Sequence, residues 1–556
     1  MKTRWYKDAV VYQIYPRSFC DSNGDGIGDI RGIISKLDYL QELGVDAVWL
    51  SPIYDSPNQD NGYDIRDYRK ILPEFGTMED FDEMVQGMHA RGIKLIMDLV
   101  ANHTSDEHEW FQQSKSSKDN PYRDYYIWRK GKGKNGKRPP NNWKSNFMGL
   151  AWKYDETTGE YYMRLFGTKQ PDLNWDNPKV RQEVADICNF WFERGVDGFR
   201  CDVITFISKT PGLPDAHDFP LTGIKYYALG PNYHAYIHEL NRNSWSKYDS
   251  MTVGEAMGAT IQDAISCIDE SREELDTMFT FEHVNSCDRF WMAMPKKLDF
   301  VKFKRIFANW QALPMTCQPT LYLENHDQPR SLPRFVGDCG DKRKWAAKML
   351  AVSMMFQRGT PYIYQGQEIG MTNCKLQDDE YRDIVSIGAL QTVNKYAPMF
   401  KGVVRRVLAQ SARDLGRTPM QWNDGPNGGF TTGTPWMKVN PNYKQVNVDH
   451  DRQDEDGVMP FYQKLLRYRK NNTCVREGAF YLELPKDKHL FVYRRVLGEK
   501  ALLIVCNYTN RTRKFTLPQS CRGKKATCVL SGYADALALQ DKMTLRPYES
   551  IVYELV

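Results

Sequence analysis

Long apolar runs are missing from this chain. Nowhere in its 556 residues do about 18 apolar side chains follow one another, so no membrane-spanning helix is expected. A charge excess is missing too. Lys and Arg number 75 against 70 Asp and Glu, a balance with no electrostatic footprint for nucleic acid or an anionic membrane. The 12 cysteines include no CxxC pair and no zinc-type spacing. They predict free thiols and a reducing, cytoplasmic setting. The opening residues, MKTRWYKDAVVYQIYP, lack the apolar stretch of a secretion signal. Aromatic residues, by contrast, are plentiful at 13%. That is more than a core needs, and it suits a protein that stacks rings on flat ligand faces.

Short apolar runs recur along the first two-thirds of the chain. They begin at Ala9, Val45, Ile93, Gly195, Ser250, Leu275, Pro319 and Pro361. They are continuous rather than alternating, as strands buried on both faces of a parallel sheet must be. Amphipathic stretches such as MEDFDEMVQGMHARG and PKVRQEVADICNFWFERG lie between them. Eight such repeats predict a (β/α)8 barrel, an α/β fold. The barrel is assigned residues 1–103 and 173–474. Residues 104–172, interrupting it after the third strand, are expected to form an insertion domain. The basic RKGKGKNGKRPPNNW within them reads as a solvated turn, not a nucleic-acid surface. From 475 to 556 the pattern changes to strands at hairpin spacing, which predicts a C-terminal antiparallel β-sandwich.

A barrel of this kind carries its chemistry at the C-terminal ends of its strands, and the polar residues fall there. The third run ends with Asp98, Asn102 and His103, the fourth with Arg200 and Asp202, the fifth with Glu255, and the seventh with Glu324, His326, Asp327 and Arg330. One such charge is ordinarily a structural ion pair. Four strands each delivering one need another account, because charges inside apolar runs are costly unless paired or used. Several carboxylates with no Ser-His or Cys-His relay point to glycoside hydrolysis. A metal centre of Asp98, His103, Asp202, Glu255 and Asp327 is the competing reading. Arg200 argues against it: two residues before Asp202 on a strand, it shares that side chain's face and disfavours a cation there.

The motifs DLVANH, GFRCDV, GEA and ENHD, in this order, resemble the α-amylase family of retaining α-glycoside hydrolases. The resemblance implies Asp202 as nucleophile, Glu255 as general acid/base and Asp327 as stabiliser of the transition state. It implies His103 and His326 as hydroxyl binders and Arg200 as the group orienting the nucleophile. Retention requires the carboxyls of Asp202 and Glu255 about 5 Å apart, with the pKa of Glu255 raised relative to that of Asp202. QPDLNWDNP, DNGYDI and GRTPMQW are similar to the oligo-1,6-glucosidase and α-glucosidase branch. There Asp60 would meet Arg417 and close the pocket over one terminal glucose, with Tyr63 as stacking platform and Phe166 as a second wall. Val203 matches the branch members that prefer α-1,6 links. The implied substrate is a short α-linked gluco-oligosaccharide, with no organic cofactor and a monomeric enzyme. Trehalose-6-phosphate hydrolases and sucrose-active enzymes are alternatives. VNSCDRFWMAMPKKLDF, after the sixth run, departs from the Arg-rich loop of the isomerases. A barrel that only binds sugar is a minor alternative, disfavoured because all three carboxylates are kept.

DSNGDGIGDI, residues 21–30, begins as a calcium-binding EF-hand loop does. Loop position 12, however, where an EF-hand needs a bidentate Glu, is Gly32. The family resemblance implies a structural Ca2+ held by the side chains of Asp21, Asn23, Asp25 and Asp29 and the carbonyl of Ile27. A turn stabilised by Asx hydrogen bonds is the alternative. Either way the expectation is a static staple, not a switch.

Overall fold

A computed structural model of the chain describes residues 4–219, 221–289 and 294–556. Eight parallel strands close into a barrel: β1 Val11–Ile14, β2 Ala47–Leu50, β3 Lys94–Val100, β4 Gly198–Asp202, β5 Met251–Glu255, β6 Thr277–Phe279, β7 Gln318–Leu321 and β8 Thr360–Tyr364. Neighbours in sequence are neighbours in the sheet. The ring shuts where Val11 of β1 sits between Ala47 of β2 and Tyr362 of β8. Each strand coincides with one of the eight apolar runs, β7 and β8 beginning one residue before theirs. β1, β2, β4, β5 and β8 are buried along their whole length, which is why their sequences do not alternate.

The helices wrap the outside. Pro178–Glu193 starts with Asn177 accepting from the Lys179 amide and Pro178 in the first turn, where its missing N–H costs nothing. Its buried face is Val180, Val184, Ile187, Cys188 and Trp191, at helical spacing. Met78–Ala90 opens with a reciprocal capping box between Thr77 and Asp80, which satisfies two amide donors.

Between β3 and β4 a small antiparallel sheet joins Trp128–Arg129, Glu160–Met163 and Trp152–Asp155. An isolated bridge between His103 and Asp172 ties off its base. Its apolar side, with Trp143, Trp152, Met163 and Phe166, continues into Val203 and Phe206 just past β4. The insertion therefore packs over the barrel mouth.

The chain ends in β9 Ala479–Glu483, β10 Leu490–Leu497, β11 Lys500–Asn507, β12 Arg513–Thr516, β13 Ala526–Ser531, β14 Lys542–Leu545 and β15 Ser550–Leu555. Five form one antiparallel sheet in the order β9-β10-β11-β15-β13, and β12 pairs with β14. Val492, Leu503, Phe515, Leu545 and Ile551 share one apolar cluster between the sheets. A buried cation fastens this unit to the barrel, and a second lies beside the seam. The Lys304 ammonium, on helix Phe300–Gln311, donates to the carbonyls of Leu484, Asp487 and Leu490 at 2.8–2.9 Å. Arg469, on helix Val458–Lys470, lies on the barrel side of that seam and donates to the carbonyls of Met355, Gln357 and Gly359 within the barrel domain. No helix among the described residues is long and apolar enough to cross a membrane, and all twelve cysteines are free.

Candidate active site

Pairing in the barrel sets the charges side by side. Asp98 of β3 is in register with Arg200 of β4. The Arg200 guanidinium is 2% exposed and sits among three carboxylates. One terminal nitrogen donates to Asp98 at 2.9 Å and to Asp202 at 2.6 Å, and the other is ion-paired with Glu255 at 2.7 Å. Glu255 also accepts from the backbone amide of Val203 at 3.0 Å. That amide points there because Val203 lies in the left-handed region, at φ 35° and ψ 36°, a strained conformation for a β-branched residue.

Burial pushes Asp202 up to about 7 and Glu255 to about 7, against the opposing pull of Arg200. The expected separation, with Glu255 raised above Asp202, is not present. The two share one arginine, feel each other, and titrate as a pair. Asp98 is also raised, to about 6, by its burial. Its second oxygen accepts from Trp49 and Tyr63, each at 3.1 Å.

Asp327 differs. Burial works to raise it, but a protonated His326 and the fixed charges of Arg413 and Arg417 outweigh that and hold it far below the carboxylate range; where His326 is neutral the two arginines keep it ionised. Arg417 donates to it at 2.7 Å and Arg413 at 3.3 Å. Its side chain is 24% exposed, which leaves it the wettest of the three acids. It lies in a turn beyond β7, its amide bonded to the side chain of Asn325 at 2.8 Å.

Both histidines are buried and occupied by protein. His326 is pushed down to about 3 by burial and is therefore neutral, and its surroundings set its tautomer. The Gln13 amide approaches Nδ1 at 2.7 Å and the Tyr63 hydroxyl lies 2.7 Å from Nε2. Gln13 donates to Nδ1, so Nε2 carries the proton and the Tyr63 hydroxyl donates its hydrogen bond to Asp98. The Tyr63 ring lies flat on that imidazole, 5.4 Å between centroids and 7° from parallel. His103 has its Nε2 3.1 Å from the Tyr63 carbonyl, and burial pushes it down to about 4. Phe166 packs on His103 at 5.0 Å and on Phe147 at 5.3 Å.

One pairing differs from expectation. Asp60 bonds Arg413 at 3.1 Å, not Arg417. Arg417 is occupied by Asp327, by Asp383 at 3.0 Å and by the His326 carbonyl at 2.9 Å. Asp383 also holds Arg413, at 2.7 Å, so the two guanidiniums stand side by side on one carboxylate. Gln170 is a second addition. Its amide reaches Asp60 at 3.0 Å and the Tyr63 carbonyl at 3.2 Å. Arg413 precedes Arg417 in ARDLGRTPMQW, and Gln170 opens QPDLNWDNP. Gln170 thus belongs to a motif already read, whereas Arg413 lies just before GRTPMQW and outside it. Of the stretch after β6 that departs from the isomerase loop, residues 290–293 lie outside the described residues.

The 21–29 loop hangs between β1 and the segment bearing these arginines. Asp21 accepts from the amides of Asn23, Gly24 and Gly26 at 2.8–2.9 Å and from the Thr431 hydroxyl. Asn23 and Asp25 each accept from the amide two residues on. Asp29 caps helix Ile30–Ile34 through Gly32 and bonds Ser22 with its other oxygen. Gly24 and Gly26 turn the loop at φ 83° and 91°. Every donor is an oxygen, the chemistry a hard cation takes. The three carboxylates do not gather within 4.8 Å of one another; among the described residues such a gathering occurs elsewhere. Oxygens on opposite sides of a calcium ion stand about 5 Å apart, so the loop fits the ion in kind, and its Asx turns account for the amide bonds.

Comparison with known proteins accords with this arrangement. Residues 13–478 match the α-amylase catalytic domain, and residues 490–552 match the C-terminal domain of the α-amylase SusG. The chain is 51% identical to an oligo-1,6-glucosidase of Parageobacillus thermoglucosidasius, with both chains covered in full. It is 46% identical to a trehalose-6-phosphate hydrolase of Bacillus subtilis strain 168, over all of this chain and 99% of that one. Isomaltulose synthase from Klebsiella sp. LX3 superposes with a TM-score of 0.95 at 41% identity, over the whole of both chains. The chain belongs to the α-amylase family of glycoside hydrolases.

Proposed function

We propose that this enzyme is a retaining, exo-acting α-glucosidase that removes terminal α-1,6-linked glucose from short oligosaccharides. Asp202 attacks the anomeric carbon, and Glu255 protonates the departing oxygen. Glu255 then takes a proton from the water that releases the glycosyl-enzyme. Asp327, ionised throughout, grips sugar hydroxyls as the ring flattens toward the oxocarbenium ion. One proton shared by the Asp202–Glu255 pair is the protonation state this chemistry starts from. Holding both acids on one guanidinium suits the short gap of a retaining site.

The observation that carries the exo reading is the clamp of Asp60, Arg413 and Gln170. It stands beside Tyr63 and His103 and closes the pocket behind a single sugar. Val203 and the 51% identity to an oligo-1,6-glucosidase support the linkage. The 46% identity to a trehalose-6-phosphate hydrolase keeps that activity as the second reading. A panel of isomaltose, maltose, sucrose, trehalose and trehalose-6-phosphate separates them. Isomaltose should give the highest kcat/KM, with the α-anomer of glucose appearing first by NMR. Isomaltose well below maltose, or trehalose-6-phosphate above both, would overturn the assignment.

A structural Ca2+ completes the reading, held by Asp21, Asn23, Asp25, Asp29 and the Ile27 carbonyl. It would neutralise the loop's carboxylates and fasten β1 to the segment around Thr431. The twelve free thiols support a cytoplasmic setting.

A further inference from the structure

Outside the barrel mouth, three side chains of different chemistry converge where no sequence spacing announces them. His234 stands in the first turn of helix Tyr233–Asn243, and Cys267 near the end of helix Ile261–Ile268. Glu274 lies on the turn leading into β6. Their nitrogen, sulfur and oxygen atoms all lie within 4.8 Å of one another. Cys267 is fully buried and Glu274 nearly so, while the His234 side chain is 41% exposed.

The cluster is built, not accidental. Glu274 is held at three points. Arg272 donates to Oε1 at 2.8 Å, Asn241 donates to its backbone carbonyl at 2.8 Å, and Oε2 meets His234 Nδ1 at 2.7 Å. Arg272 takes one carboxylate oxygen and leaves the other turned toward the imidazole and the thiol; its charge opposes a cation as that of Arg200 does at the mouth, and the thiolate formed on binding offsets it. Glu274 also lines a cleft of about 330 Å³ with Asp269, Glu270, Glu273 and Asp276, across from Arg4 and Arg242. Acids outnumber bases along it, which draws cations toward Glu274.

We propose that His234, Cys267 and Glu274 form a binding site for a borderline-soft divalent cation of the Zn2+ type. One imidazole, one thiolate and one carboxylate match that ion's ligand preference. Ca2+ and Mg2+, which take oxygen, have no use for the sulfur. The fourth position faces solvent beside His234 and takes a water. On binding, the thiol proton leaves to solvent and the imidazole keeps its one proton on Nε2, so that Nδ1, the thiolate and the Glu274 carboxylate each bond the ion. The site is far in kind from the chemistry at the mouth. It clips two outer helices to the start of β6, so its effect is on stability.

The test loads chelator-treated enzyme with Zn2+, or with Co2+ as a spectroscopic probe, and passes it through a desalting column. The expected result is one retained ion per chain, a thiolate-to-cobalt charge-transfer band in the near ultraviolet, and a higher melting temperature. His234→Ala, at a half-exposed position, should lose all three, and Cys267→Ser the band above all. No retained ion, equal retention by H234A, or bound Co2+ lacking the thiolate band would each overturn the proposal. H234A keeps the test decisive if C267S fails to fold.

Discussion

Two regions of this molecule bury positive charge, and they do so in opposite ways. At the barrel mouth Arg200 is ringed by Asp98, Asp202 and Glu255. At the seam with the C-terminal sheets, Lys304 and Arg469 rest on backbone carbonyls, the first across the seam and the second on its barrel side. Burial disfavours the charge in both places. At the mouth the carboxylates reverse that penalty and lift Arg200 above its ordinary value. At the seam burial prevails, lowering Lys304 to about 8 and Arg469 to about 9. A cation paired with carboxylates belongs to a network in which protons can be redistributed, which is what acid–base chemistry needs. A cation on fixed carbonyl dipoles has no titrating partner, so it can only fasten.

Breaking each region should therefore give different readouts. Asp202→Asn has the largest effect. We expect kcat to fall on the order of 10^4-fold or more while sugar binding persists, measured with a nitrophenyl α-glucoside and by calorimetry. In the parent, kcat/KM should follow a bell in pH. The acid limb appears as the Asp202–Glu255 pair gains its second proton, and the alkaline limb as the shared proton leaves. Both limbs flank 7, the value of each carboxyl. A flat profile from about pH 5 to 9 would break the shared-proton account.

Arg413→Ala comes next. It removes the charge facing Asp60 and should cost about 10- to 100-fold in kcat/KM for isomaltose, carried mainly by KM. An equal loss in Arg413→Ala and in a seam variant would erase the distinction. Lys304→Met is that seam variant. Three carbonyls lose their donor, so stability should fall by about 1–3 kcal/mol in denaturant titration with kcat unchanged. The sign with pH can be followed. The folded ammonium loses its proton near 8 and the unfolded one near 10.5, so between these values the unfolded chain holds more protons. The parent's stability therefore gains from this group as pH rises through that window, and Lys304→Met should lose that gain. Chelation of calcium is the smallest: about 1 kcal/mol when free ion stands a few-fold above Kd, seen as a lowered Tm with kcat nearly constant.

The barrel was legible because strands buried on both faces must be written as continuous apolar runs. The acids were legible because charges inside such runs stand out. What decides between Arg413 and Arg417 is a single 3-10 turn, Arg413–Gly416, in a stretch with no period to read. Asp327 stands beyond the end of its strand, not on it. β7 ends at Leu321, and a turn carries the acid past it. Val203 was noticed for its shape, while its left-handed backbone runs against every propensity of a β-branched residue. His234, Cys267 and Glu274 come together only through the packing of two helices on a strand.

Val203 also bears on how this enzyme could be altered. Its side chain abuts the insertion's apolar cluster, its amide steadies Glu255, and its backbone sits at φ 35°. A glycine there would relax the chain and loosen the amide, whereas a bulkier residue would reshape the pocket and keep the strain. Any library built at this position to change linkage preference will be sorted twice, once by chemistry and once by how much folded protein each variant yields.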